Sequence, residues 1–402
     1  MSYQQRVYQW TQIVHTHLSE LSPAQATVLA LWSVGMVLAQ SCALSAVSAY
    51  LAAGLERKPL TLRQWLREFY FEAAAKRGRK RCELTVTPCF APLLRWVLSW
   101  WEGTQVALAL DASSLGERFV VLAVSVLYRG CAIPVAWAVL PANRPRAWKP
   151  EWLALLDQVE GAIPTGYTVI VLTDRGLYAR WLYQRIVQLG WHPFLRINRG
   201  GTFRPTGGGY LPLNYFCPAP GTSWAGVGTA FQGPARRLDC TLLARWEAGY
   251  RDPWLILTDL APTASEAGWY GLRAWIEQSF KLAKRGGWQW QRTRMTDPAR
   301  AARLWLAIAV ATLWLLSVGE EGEGDIPEST LPELPPDQLH PRRLGGWQLV
   351  SVSRRGRARL LAILLSDQPL PTGHFTPAPW PTRCPLRHTP VEPASLPPAV
   401  AA

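Results

Sequence analysis

Three short runs of apolar, often β-branched residues crowd between Val106 and Asn143: "VALALDAS", "FVVLAVSVLYRG" and "CAIPVAWAVLPAN". Runs of this length read as strands, and the turn-length gaps between them suit antiparallel neighbours. A helix-length segment, Pro150 to Val159, separates the third run from a fourth, "YTVIVLTDRG". The amphipathic stretch "LYARWLYQRIVQLGW" follows, and "HPFLRIN" reads as a fifth strand. The order βββαβαβ implies an α/β fold: a mixed sheet flanked by helices.

Two aspartates stand where apolar runs stop, Asp111 after "VALAL" and Asp174 after "VIVLT". A carboxylate cannot be sunk unpaired in a core, so at a strand tip it either caps a turn or faces a cation. Capping is open to Asp174, which precedes a helix expected near Leu177. Asp259, in "LILTDL", is a near copy of the Asp174 context and a rival to it. Chain order favours Asp174, because the strand after the first crossover can lie beside the first strand and Asp111.

The third carboxylate lies in "WYGLRAWIEQSFKLAKRGG", residues 269–287. At about 100° per residue, Tyr270, Arg273, Glu277 and Lys284 share one polar stripe, with Lys281 on it. Trp269, Leu272, Ile276, Phe280 and Ala283 form an apolar stripe beside it, which suits the wall of a cleft. A solvated face with a Glu277–Lys281 pair is the plain alternative. A group that engages a hydroxyl, a guanidinium, an ammonium and a carboxylate together is anionic and brings cations, which points to phosphate with metal. Asp111, Asp174 and Glu277 are therefore the candidate metal ligands, able to hold two ions about 4 Å apart. Ligation by oxygen alone favours Mg²⁺ or Mn²⁺ over zinc.

With 42 basic and 28 acidic residues the net charge is +14, which favours a polyanionic partner such as nucleic acid or an anionic membrane surface. Seven cysteines without a C-x-x-C pair indicate neither a disulfide framework nor a zinc knuckle and fit a reducing cytosol. The opening residues "MSYQQRVYQW" carry no secretion signal. Leu21–Leu55 is charge-free and long enough to span a bilayer, but Pro23, Gly35, Gln40 and its Ala/Ser content favour a buried helix or helix pair. Leu304–Val318 reads as a core helix too short to span.

Residues 1–100 read as an all-α N-terminal region, a candidate for DNA binding. It closes on a basic cluster, Lys76, Arg77, Arg79, Lys80 and Arg81, that suits either a DNA backbone or a solvated linker. Residues 101–319 read as the α/β domain that carries the three carboxylates, and the Gly-, Pro- and aromatic-rich stretch 199–253 reads as an inserted β-rich subdomain. Thr296 or Asp297 caps a helix with Pro298 in its first turn and Gly319 as its stop. Residues 320–402 are a proline-rich tail expected to be loosely ordered, with a helix at "SRRGRARLLAILLS".

The spacing Tyr270-x2-Arg273-x3-Glu277-x6-Lys284 resembles the signature of the IS-four group of prokaryotic insertion-sequence DDE transposases. "LALDASS" and "LTDRGLY" look like the group's two aspartate motifs, and the resemblance covers about Val106–Gly319. It implies a ribonuclease-H-like fold with a β insertion between the second aspartate and the glutamate. It further implies that Asp111, Asp174 and Glu277 are catalytic and bind two Mg²⁺ or Mn²⁺ ions, while Tyr270, Arg273 and Lys284 grip DNA phosphates, with Lys281 beside them. The partners implied are double-stranded DNA, at the element's ends and at the target, and a second copy of the chain in a homodimeric synaptic complex. Neither a membrane nor a small-molecule substrate is implied, and the setting is the cytoplasm at the nucleoid. Some relatives place a flipped base on an insertion-domain tryptophan, for which Trp246 and Trp254 are candidates. A related nuclease without strand transfer, and an inactive transposase-derived DNA-binding protein, are the alternatives.

Overall fold

A computed structural model describes residues 3–76, 82–143, 148–247, 250–319, 351–366 and 368–381. Five helices come first: α1 (Tyr3–His17), α2 (Pro23–Ala39), α3 (Leu44–Leu55), α4 (Pro59–Tyr70) and α5 (Phe90–Ser99). Ser22 opens α2 with a capping box, accepting from the Gln25 N–H while the Gln25 side chain accepts from its own. The charge-free stretch thus becomes α2 and α3, bent by 95° at Gln40–Ala43. Of the basic cluster, Arg77, Arg79, Lys80 and Arg81 lie outside the described residues.

The sheet follows as β1 (Gln105–Leu115), β2 (Phe119–Tyr128), β3 (Cys131–Pro141), α6 (Lys149–Val159), β4 (Thr168–Thr173), α7 (Arg180–Gln188) and β5 (His192–Arg196). Next come β6 (Thr202–Pro205), β7 (Leu211–Pro212), the single turn α8 (Leu213–Phe216), β8 (Ser223–Ala230), β9 (Leu238–Arg245) and β10 (Trp254–Thr258). All ten strands join one mixed sheet in the order β3-β2-β1-β4-β5-β10-β9-β8-β6-β7. β1, β4 and β5 run parallel, and every other pairing is antiparallel. The strands within 199–253 therefore form no sheet of their own. β9 zips onto β10 from Trp254↔Arg245 to Thr258↔Thr241 and carries the rest outward.

Helix α9 (Ala274–Lys281) lies against β1, β2 and β3. Its buried Ile276, Ser279 and Phe280 face the sheet, so Arg273 and Glu277 stand at its margin. Helix α10 (Pro298–Ser317) is capped by Asp297, whose carboxylate accepts from the Arg300 N–H. The segment is longer than its apolar part suggested, because the cap starts the helix six residues before Leu304. Among the described residues it is the one unbroken helix long and apolar enough to cross a membrane, and 83% of its apolar window is buried in the fold. It packs on β3, α2 and α4.

Helix α11 (Val352–Leu365) lies on α10 so closely that a Cβ at Gly356 would meet the Leu315 carbonyl oxygen at 1.8 Å. Beyond the helix expected there, residues 368–381 of the proline-rich stretch also lie against the fold. Phe375 is fully buried; its N–H donates to the Trp100 carbonyl (2.7 Å) and its carbonyl accepts from the Glu102 N–H (2.9 Å). An aromatic side chain with enough buried area orders a proline-rich segment that composition alone would leave loose. Residues 320–350 and 382–402 lie outside the described residues.

Candidate active site

The last parallel rung between β1 and β4 is Leu110↔Thr173, so Asp111 and Asp174 follow it side by side. Asp174 ends its strand, but Asp111 does not: β1 continues to Leu115, paired with β2 through Leu115↔Phe119. The tip expected at Asp111 is therefore a place where one neighbour departs while the other stays. A notch opens on the β4 side, at the carboxyl ends of parallel strands, where α/β sheets commonly take their ligands.

Arg273 fills this notch from the margin of α9. Its Nη2 lies 3.0 Å from Asp111 Oδ2 and 3.8 Å from Asp174 Oδ2, and its Nη1 lies 3.3 Å from Glu277 Oε1. Three carboxylates far apart in the chain thus converge on one guanidinium. Glu277 is paired with Arg273 and not with Lys281, which is exposed. Asp111 Oδ1 accepts from the Ala112 N–H at 2.8 Å, and Asp174 Oδ1 accepts from Gly176 and Leu177 at 2.9 and 3.1 Å. Asp174 caps a turn with one oxygen and faces the guanidinium with the other, while α7 begins later, at Arg180. The helix cap expected of Asp174 near Leu177 is thus a turn and not a helix start.

Burial raises the Asp111 carboxyl above its ordinary value; Arg273 and the Ala112 N–H oppose that shift, and Asp174 and Glu277 add to it. Burial also works against the Arg273 charge, but the Tyr270 hydroxyl and the three carboxylates outweigh it and hold that group above its usual value. Arg273 Nε is buried without a hydrogen-bond partner.

The expected single polar stripe is broken. Residues Ala267–Arg273 wind as a tight 3₁₀ helix, α9 follows, and Leu282–Gly286 widen to π spacing, with Lys284 itself off helical geometry (φ −89°, ψ −109°). Lys284 is thereby turned toward β1, where its Nζ donates to Ser113 Oγ (2.8 Å) and the Ser114 carbonyl (2.7 Å). Burial, followed by repulsion from Arg285, lowers its pKa. Tyr270 is buried, and its hydroxyl donates to the Thr173 carbonyl at 3.1 Å, one residue before Asp174. Burial pushes that phenol up to about 12. So enclosed, Tyr270 presents nothing to a phosphate in this arrangement and braces the end of β4.

Asp259 lies elsewhere. β10 is antiparallel to β5, so its end emerges at the start of β5, where Asp259 meets His192 Nδ1 at 3.1 Å. Trp254 is closed in by Tyr250 and Tyr270, whereas Trp246 is half-buried under the Arg199 guanidinium. Sequence reasoning missed Ser113 and Ser114, although they directly follow "LALDA". It missed as well a cleft of about 490 Å³ that Asp111 and Asp174 line together with Trp148, Lys149, Trp152 and Trp181. Among the described residues no three or more His, Cys, Asp or Glu side chains are arranged around one point as a metal site, and the point on which the acids converge is taken by the Arg273 guanidinium.

Residues 137–314 match the family model of the transposase DDE domain. The match supports a DDE transposase family for the chain. It spans fewer than half of the residues, beginning beyond Asp111 and containing Asp174, Tyr270, Arg273, Glu277 and Lys284. The matched domain supports a transposase function, for which the family suggests DNA as the partner and DNA cleavage as the chemistry. No curated protein matches the chain.

Proposed function

We propose that this protein is the transposase of an insertion sequence, nicking DNA at its element's terminal inverted repeats and then using the freed 3′-hydroxyl to join the target. The observation that carries the reading is the convergence of Asp111, Asp174 and Glu277 on one cation in the notch between β1 and β4. The order βββαβαβ, with β1 beside β4, supports a ribonuclease-H-like core of the IS-four kind.

The donor set, carboxylate oxygens without sulfur or imidazole, fits Mg²⁺ or Mn²⁺. Asp111 Oδ2 and Asp174 Oδ2 share a point that already attracts positive charge, and Glu277 completes the set. Divalent ions held there supply charge stabilisation at the scissile phosphate and a more acidic nucleophile. The protein's own groups do the rest. Tyr270 and the turn at Gly176–Leu177 fix the end of β4, and so fix Asp174. Arg273 holds the acids together before DNA arrives and carries a planar fork suited to a phosphate. Lys284 and the exposed Lys281 extend the positive surface along the same segment. Trp148 and Trp181, the half-buried tryptophans of the neighbouring cleft, offer flat faces on which unpaired bases stack. Action at two ends implies a homodimer, working in the cytoplasm at the nucleoid.

The test is a supercoiled plasmid carrying the element's inverted repeats, incubated with the protein and Mg²⁺. Glu277→Gln is expected to abolish nicking while end binding persists. Nicking undiminished in that variant sinks the assignment. Joining of a free 3′ end to target DNA, assayed alongside, separates a transposase from a nuclease of similar fold.

A further inference from the structure

A groove of about 520 Å³ opens between the N-terminal helices and the start of α10, lined by Arg63, Phe71, Arg292, Arg294, Asp297 and Arg300 among others. Two of these charges are already engaged. Asp297 caps α10, and Arg300 is tied to Glu72 while stacking on Phe71 at 3.9 Å. Arg63, Arg292 and Arg294 are exposed and form no ion pair among the described residues. Three guanidiniums without an ion-pair partner, supplied by two elements, face the groove and outnumber the single Asp297 carboxylate there.

The backbone explains why two of them act together. Arg118, in the turn between β1 and β2, donates to the carbonyls of Gln291, Thr293 and Met295. These bonds pin the segment, which leaves a 3₁₀ turn at Arg292, beside the hairpin, and Arg292 and Arg294 both line the groove. The same hairpin carries Asp111. From Asp111 to Leu115, β1 rises about 13 Å at about 3.3 Å per residue, with Lys284 bonded to Ser113 and Ser114 on the way. A strand with about 3.4 Å between successive phosphates along the duplex axis covers that distance in about four base pairs.

We propose that this arginine groove is a second seat for the phosphate backbone, holding duplex DNA about four base pairs or more from the phosphate at the acids. It rests on the reading that those acids act on DNA. The seat positions the duplex without reading bases, since guanidiniums meeting phosphates carry no sequence information. Arginine suits it because its fork engages phosphate oxygens in pairs.

The test uses the full chain in chelator, so that cleavage plays no part, with a fluorescent mixed-sequence duplex several helical turns long titrated across a range of salt. The Arg292→Ala/Arg294→Ala variant is expected to lower the slope of log affinity against log salt by about 2, and Arg63→Ala by about 1. Lysine at the same positions is expected to keep the wild-type slope. Unchanged slopes in the alanine variants overturn the proposal. Arg63 is an exposed residue on α4 with no ion pair to lose, so its variant keeps the test valid if the double variant fails to fold. Inorganic phosphate, matched in ionic strength against sulfate, is expected to compete no better than sulfate. Selective competition by phosphate overturns the proposal in favour of a small-anion site. Wild-type nicking together with unchanged slopes removes the groove alone, whereas a wild-type chain that binds no duplex removes the functional reading with it.

Discussion

Asp174 and Asp259 close nearly the same phrase, "VIVLTD" and "LILTD", each after a run of five buried strand residues. One joins a cluster of carboxylates, and the other meets a histidine far from it. Nothing local separates them. β4 runs parallel to β1, so its end arrives beside Asp111, whereas β10 runs antiparallel to β5 and delivers its aspartate to the opposite end of the sheet. Strand direction, a property of the whole chain path, assigns two similar phrases to different chemistry.

Exchanging each aspartate for asparagine breaks the comparison most directly. Asp174→Asn is expected to cut plasmid nicking by on the order of 10³-fold or more, equivalent to about 4 kcal/mol of transition-state stabilisation. Asp259→Asn is expected to leave the rate within about twofold; comparable losses from both would show that strand direction does not separate their roles. Arg273→Ala comes next, because it strips three carboxylates of their shared counter-charge. A melting experiment is expected to show a loss of about 1–2 kcal/mol, toward the low end for a buried pair since Asp174 and Glu277 are half exposed. Added Mg²⁺ is expected to restore more stability to this variant than it adds to the wild type, and an equal response would count against a shared cation seat.

Tyr270→Phe sharpens the contrast at β4 by removing one hydrogen bond to the Thr173 carbonyl. The expected cost is about 1 kcal/mol in urea denaturation at neutral pH. The pH dependence has a definite sign. The folded phenol, pushed up to about 12, exceeds its unfolded value of about 10, so its contribution is complete below pH 10 and is lost as pH rises toward 12. The gap between wild type and variant should shrink over that window. Asp259→Asn is the smallest case: removing a partly exposed pair with His192 is expected to cost under about 1 kcal/mol in the same assay.

What was legible follows the same division between local and distant information. Apolar, β-branched runs and turn-length gaps reveal β1 to β5 in order, and helical spacing brings Arg273 and Glu277 to one side of their segment. The position of Asp111 inside β1 was hidden, because it depends on β2 continuing to pair after β4 has ended. The continuity of 199–253 with the main sheet was hidden for a similar reason, since it rests on β9 meeting β10. The break at Lys284 escapes a fixed angle per residue: 3₁₀, α and π turns rotate the chain by different amounts, and the lysine is drawn off by two serines more than 160 residues away in sequence. Tyr270 carries a polar tip on a large apolar ring, and only the packing decides which of the two prevails.

The hold that Phe375 takes on Trp100 and Glu102 bears on any shortened version of the protein. Cutting after Gly319 to obtain a minimal catalytic core would unplug that ring and bare the sides of Trp101 and Tyr128 on which it rests. The strand leading to Asp111 would then start from a frayed end, and weak activity in such a fragment would measure the loss of a distant clasp instead of any defect in the acids.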